Sequence, residues 1–227
     1  MNYVQLVGRL RRKCRVIGSN PATLISQPEE INRLADWINE AWMEIQLTKN
    51  DWSWMRSTFS FTTVNGQISY TPVQAGIAAN TFANWKRDSM RNYPTATGTS
   101  GEIQMDYRGY DSWRDMYQFG ANRNVYTRPT EISITPDKQL ALGPIGASGY
   151  TIVGEYFTVA SELVADTDTP SLPSQFHMAI VYKAMMYYGA SESAQEVYQE
   201  GETEFKRMMG RIMIDRLPEI TVGGALA

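Results

Sequence analysis

The spacing of apolar residues changes period twice along this chain. Tyr3, Leu6, Val7, Leu10 and Cys14 recur at helical spacing and predict a short helix over residues 2–14. Gly18 to Pro21 interrupts it. Ile31, Leu34, Trp37, Ile38, Ala41, Trp42 and Ile45 then form a wide apolar stripe, predicting a helix over residues 28–47. Ser26, with Glu29 three residues on, resembles a capping box at its start. Trp52 and Trp54 follow just past its end.

From Ser57 the period falls to two. "STFSFTTVNGQISYTP" alternates on both sides of Asn65-Gly66, a pair that favours a type I′ hairpin turn. A two-residue loop sets Thr63 opposite Ile68 and Phe61 opposite Tyr70. Phe59, Phe61, Ile68 and Tyr70 then share one face, so turn and pattern agree. Residues 73–101 are less regular; "NWKRDSMRNYP" can hold a strand and "TATGTSG" has linker composition. "EIQMDY" reads as a strand. "DSWRDMYQFG" reads as a helix with Asp111 as N-cap, Trp113, Met116 and Tyr117 on one face, and Gly120 as its stop. "EISIT" and "QLALG" flank the turn "PDK" as a hairpin, and "YTIVGEYFTV" is a longer strand.

The loop "ASELVADTDTPSLP" leads into two more helices. The first, residues 174–188, is apolar on nearly every side, which predicts a surrounded helix. The second, residues 192–217, carries the stripe Val197, Gly201, Phe205, Met208 and Ile212, with acidic residues early and basic residues late, matching the helix dipole. The expected class is α+β: a helical bundle from the N- and C-terminal helices with an inserted, mostly antiparallel β region. The expected organisation is residues 1–56 with 161–217 as the bundle, 57–160 as the β-rich insertion, and 218–227 as an extended tail.

Composition narrows the function. Apolar residues make up 43% of 227 residues, enough for a real core, and the net charge of −3 supplies no overall basic field for nucleic acid. No apolar run reaches the length of a membrane helix. The first residues place charges after apolar positions, the reverse of a signal peptide. The single cysteine, Cys14, excludes an internal disulfide and a cysteine-based zinc site, and fits a reducing compartment.

Little catalytic chemistry stands out. No phosphate loop, dinucleotide fingerprint, metalloprotease motif or nucleophile elbow occurs. Asp166 and Asp168 form a fragment of a calcium-loop pattern without its glycine or terminal glutamate; loop capping is the expected use. His177, the only histidine, sits in the first turn of the returning helix, where a hydrogen-bonded structural role is expected; a Cys14–His177 pair is the only nucleophile–base combination involving cysteine. Arg9, Arg11, Arg12, Lys13 and Arg15 are either a solvated helix end or a contact for phosphates or an acidic partner. Six tryptophans and thirteen tyrosines read as core or subunit interface, since their spacing follows the elements. The tail offers Glu219, Ile220, Thr221 and Val222 as a segment able to add a strand to a partner.

The order of "EEINRLADWINEAWMEIQ", "DWSWMR", "FSFTTVNGQISYTP", "TRPTEISITPDKQLALGP", "YTIVGEYF", "DTDTPSLPSQFHMAIVYKAMMYYGA" and "RLPEI" resembles the head-to-tail connector adaptors of tailed bacteriophages over nearly the whole chain. The resemblance implies a non-enzymatic virion protein without cofactors, assembled in the host cytoplasm. It implies a homo-oligomeric ring, a dodecamer, under the portal protein. That ring extends a channel for double-stranded DNA, held non-specifically, and offers a platform to a downstream neck, tail or nozzle protein. The portal-docking tail maps onto Leu217, Pro218, Glu219, Ile220, Thr221 and Val222. Alternative readings are another neck or tail-tube component, a DNA-binding accessory protein using Arg9 to Arg15, or a carbohydrate-binding module.

Overall fold

The computed structural model describes residues 1–25 and 27–215. The chain divides into two compact units. One joins Met1–Trp54 to the chain from Ala160 onward, and the other is Met55–Val159.

The first unit is helical: α1 (Tyr3–Lys13), α2 (Glu29–Leu47), α4 (Met178–Ser191) and α5 (Gln195–Ile214), with α3 belonging to the second unit. Asn2 caps α1 in a reciprocal box with Gln5, and Arg11, Arg12 and Lys13 in the last turn suit its dipole. The helix ends before Gly18, because Arg15 already takes a left-handed φ of 57°. Helix α2 starts with Pro28 at the N-cap and no side-chain cap, and Ser26 lies outside the described residues.

Helix α4 packs against α1, α2 and α5. Ala179, Ile180, Val181, Ala184 and Met185 are fully buried along it. The α4–α5 approach requires glycine: a Cβ on Gly189 would lie 2.7 Å from the Tyr198 backbone nitrogen, and one on Gly201 2.8 Å from the Tyr182 carbonyl oxygen. The segment entering α4 is clamped by two amides of α2. Asn39 accepts from the Leu163 N–H (2.9 Å) and donates to the Leu163 carbonyl (2.9 Å). Gln46 does the same at Ser161, at 3.1 and 3.0 Å. Each amide satisfies both backbone groups of a residue in a segment without secondary structure.

The second unit holds β1 (Arg56–Thr62), β2 (Ser69–Tyr70), β3 (Phe82–Trp85), β4 (Arg91–Pro94), β5 (Ile103–Gln104), β6 (Asp106–Tyr107), α3 (Tyr110–Tyr117), β7 (Tyr126–Thr127), β8 (Glu131–Ile134), β9 (Leu140–Gly143), β10 (Ile145–Gly146) and β11 (Tyr150–Thr158). Strand β11 organises the larger sheet. It pairs antiparallel with β1 along one side, from Arg56↔Phe157 to Thr62↔Thr151, and with β3 and β4 along the other. Residues 73–101 thus supply the second neighbours of β11. A second sheet runs β2-β9-β8-β6, with β6 and β8 parallel, and β7 pairs parallel with β10. Phe59, Phe61, Trp85, Met90, Ile132 and Ile152 lie in the core of this unit, while Trp113 and Tyr117 of α3 enclose Ala141 of β9.

The hairpin expected at Asn65-Gly66 does not form. Gln67 N–H does bond to the Val64 carbonyl at 3.1 Å, so a tight turn exists. Only Gly66 takes a positive φ (77°), whereas a type I′ turn needs it at both central residues. A positive φ at the second central residue alone is the type II arrangement, whose twist splays the flanking strands. Accordingly β1 joins β11, and β2 joins β9 in the other sheet. Phe61 and Tyr70 still meet, ring centroids 4.5 Å apart, but Ile68 is 37% exposed. "EIQMDY" is likewise divided between the two sheets at Met105. Helix α3 starts at Gly109 as N-cap rather than Asp111, and Met116 is exposed. The hairpin at "PDK" does form: β8 and β9 are antiparallel, and Lys138 takes the left-handed turn position (φ 58°).

Ile180→Asp places an unpaired carboxylate in the enclosed helix and is expected to destabilise the protein by at least about 4 kcal/mol in denaturant unfolding. Ile17→Asp, at a side chain 97% exposed, should stay within about 0.5 kcal/mol of wild type. Equal effects at both positions would show that α4 is not enclosed.

Candidate functional site

The five basic residues of α1 and its end do not share one role. Arg11 is buried and holds the following loop in place. It donates to the Val16 carbonyl (2.9 Å), the Gly18 carbonyl and Asn20 Oδ1 (3.1 Å). Lys13 pairs with Glu200 of α5 at 2.7 Å and lies 5.6 Å from the Tyr182 ring centroid. That leaves Arg9, Arg12 and Arg15 exposed. Arg9 and Arg12 rim an open groove of about 390 Å³ that runs along α1, with Val4, Gly8, Asn20 and Pro21 among its lining. Loop closure by Arg11 builds the far wall of this groove.

The outer face of α2 has the opposite sign. Glu29, Glu30, Asp36 and Glu40 are exposed along it. Arg33 on that helix is engaged, pairing with Glu192 and lying 5.1 Å from the Trp37 ring centroid. This acidic face was not singled out by sequence reasoning. Its signal is present in the charges of "EEINRLADWINE", interleaved with the apolar stripe of the same helix.

The remaining candidates are structural. Cys14 is buried, which pushes its thiol up to about 12, so it is not a thiolate nucleophile near neutrality. Asp166 accepts from the Leu24 N–H at 2.9 Å, and Asp168 accepts from the Val164 and Ala165 N–H groups, both at 2.8 Å. Those backbone donors hold the Asp168 carboxyl below its ordinary range. Both carboxylates are therefore loop caps, and the carbonyls of the same residues receive the Val4 and Tyr3 N–H groups at the start of α1. Among the described residues no group of three or more acidic, histidine or cysteine side chains could hold a metal ion, and no helix is long and apolar enough to cross a membrane. Trp42, Trp52, Trp85 and Trp113 are buried, so these aromatics serve the cores. Leu217, Pro218, Glu219, Ile220, Thr221 and Val222 lie outside the described residues.

His177 joins the beginning of the chain to the start of α4. It is 1% exposed; its Nε2 lies 2.8 Å from the Leu172 carbonyl and its Nδ1 2.7 Å from the Met1 ammonium. These partners assign a neutral ring with Nε2–H donating and Nδ1 accepting. The sequence reading put His177 in the first turn of the returning helix; the structure puts it one position earlier, as the N-cap of α4, in a hydrogen-bonded role.

Residues 1–223 match the family model described as SU10 adaptor protein. No curated protein matches the chain.

Burial first, and then the neighbouring Met1 ammonium, lower the His177 pKa against the opposing bond to Leu172. The unfolded chain therefore takes up this proton first as pH falls. Stability linked to His177 is complete above the ordinary value of 6.5 and is lost as pH drops below it. Because the chain has one histidine, wild-type Tm should fall between about pH 7 and pH 5, and His177→Gln should flatten that slope. An unchanged slope in the variant would locate the titrating group elsewhere.

Proposed function

We infer the function from one premise: the chain belongs to the SU10 adaptor protein family, and is thus a bacteriophage adaptor, a virion component that connects other virion components. We propose that it forms a ring beneath the portal protein, extends the DNA channel and presents a platform to the next neck or tail protein. In this reading the helical unit forms the ring, a dodecamer, and residues 217–222 dock on the portal.

The observation that carries this reading is the exposure of large apolar side chains on both units. Ile17 (97%), Ile25 (75%) and Val164 (83%) stand out from the helical unit, and Val64 (56%), Val73 (62%) and Phe119 (56%) from the β unit. Such side chains in water favour burial against other subunits or partner proteins. A chain that must glue to copies of itself, and to unlike proteins above and below, needs contact surfaces on more than one body. The acidic net charge of −3 per copy also suits a channel through which DNA passes without sticking.

Deleting residues 218–227 should leave the melting temperature of the free protein near wild type while abolishing co-assembly with purified portal rings, measured by native mass spectrometry. Undiminished binding of the truncated chain would remove the docking role from the tail.

A further inference from the structure

Two outward helix faces of the helical unit carry unpaired charges of opposite sign. On α1, Gln5, Arg9 and Arg12 fall at positions i, i+4 and i+7, which is one outward face. On α2, Glu29, Asp36 and Glu40 fall at i, i+7 and i+11, again one face. All six side chains are exposed. Among the described residues, none of the five charged ones on α1 and α2 named here makes an ion pair.

The charges that could have quenched these faces from within are held elsewhere. Lys13 pairs with Glu200 (2.7 Å), Lys183 with Glu44 (2.7 Å), and Arg33 with Glu192. Arg11 is buried and bonded to the loop at Val16, Gly18 and Asn20. Arg33 lies on the acidic face itself, at i+4 from Glu29, but is paired with Glu192, so the unpaired charges on each face have one sign.

Two unlike, complementary faces on one copy are what a heterologous, head-to-tail contact requires. A twofold contact through either face would set like charge against like, which opposes association. A head-to-tail contact instead sets the acidic face of one copy against the basic face of the next and closes into a ring when the rotation permits. The groove on α1 has an apolar lining from Val4 and Pro21 between its basic rim residues. Ile25, just ahead of α2, is 75% exposed.

We propose that the occupant of the α1 groove is α2 of a second copy, with Arg9 and Arg12 facing Asp36 and Glu40 of its neighbour. The two pairs match in spacing: three residues apart on α1 and four on α2, each roughly one helical turn of about 5–6 Å. This assignment rests on the ring reading above and adds to it which faces meet. The contact is electrostatic at its rim, so ring assembly weakens as salt rises.

The experiment is charge reversal in the full chain, read by native mass alone and on purified portal rings, with Tm confirming that each variant is folded. R9E/R12E and D36K/E40K should each lose the ring, because each sets like charges face to face. Mixing the two variants, or combining all four substitutions in one chain, should restore it, because opposite charges again meet. If wild type forms a ring and either reversed variant forms it equally well, or the four-fold variant stays folded but unassembled, the face assignment is overturned while the ring reading stands. A wild-type chain that is monomeric both alone and on portal overturns the ring reading and this assignment together. If R9E/R12E keeps the ring but loses salt-sensitive binding to a double-stranded DNA probe, Arg9 and Arg12 belong to DNA and the assignment is wrong.

Discussion

Enclosure of α4 is the constraint on which the helical unit depends. Its buried side chains, Ala179 to Met185, contact helices from both ends of the chain. A helix without a polar stripe cannot rest on one neighbour; it must be covered on every side or leave apolar surface in water. Coverage by α1, α2 and α5 therefore forces the chain to come back after residue 160 to where it began. The glycines at 189 and 201 let α5 approach closely, and the amides of Asn39 and Gln46 hold the returning segment. His177 adds a tie between the ends, meeting Met1 at one ring nitrogen and Leu172 at the other.

With the apolar faces turned inward, the outward faces of α1 and α2 are free to carry charge. The basic groove exists because Arg11 is turned inward to hold the loop at Val16, Gly18 and Asn20, which leaves Arg9 and Arg12 on its rim. Charged outward faces suit a protein whose task is contact, as membership of a phage adaptor family implies. The β unit is built around a different device, one long strand with neighbours on both sides, and its two larger sheets receive β1 and β2 from either side of a turn that splays rather than closes.

Sequence reasoning located all four helices of the helical unit and the enclosed character of α4, because a repeat of 3.6 and the lack of a polar face both show within a short stretch of sequence. It located the β8–β9 hairpin for a similar reason: the turn and both strands lie within one short stretch. It did not find the partner of β1. Phe59 and Phe61 announce a strand with one buried face, but that pattern is equally satisfied by β2 and by β11, which lies about ninety residues on. The surface was half legible. The cationic run at Arg9 to Arg15 was visible, whereas the burial of Arg11 was not, since its acceptors are backbone carbonyls whose position depends on the path of the loop.

By itself, then, the amino-acid order determined where the helices run and which of their faces are apolar, because periodicity is a local property. Only the tertiary structure decided which strand pairs with which, and which charges stay unpaired at the surface. Strand pairing and ion pairing are both contests between partners remote in sequence, and they are settled by where the folded backbone brings each group.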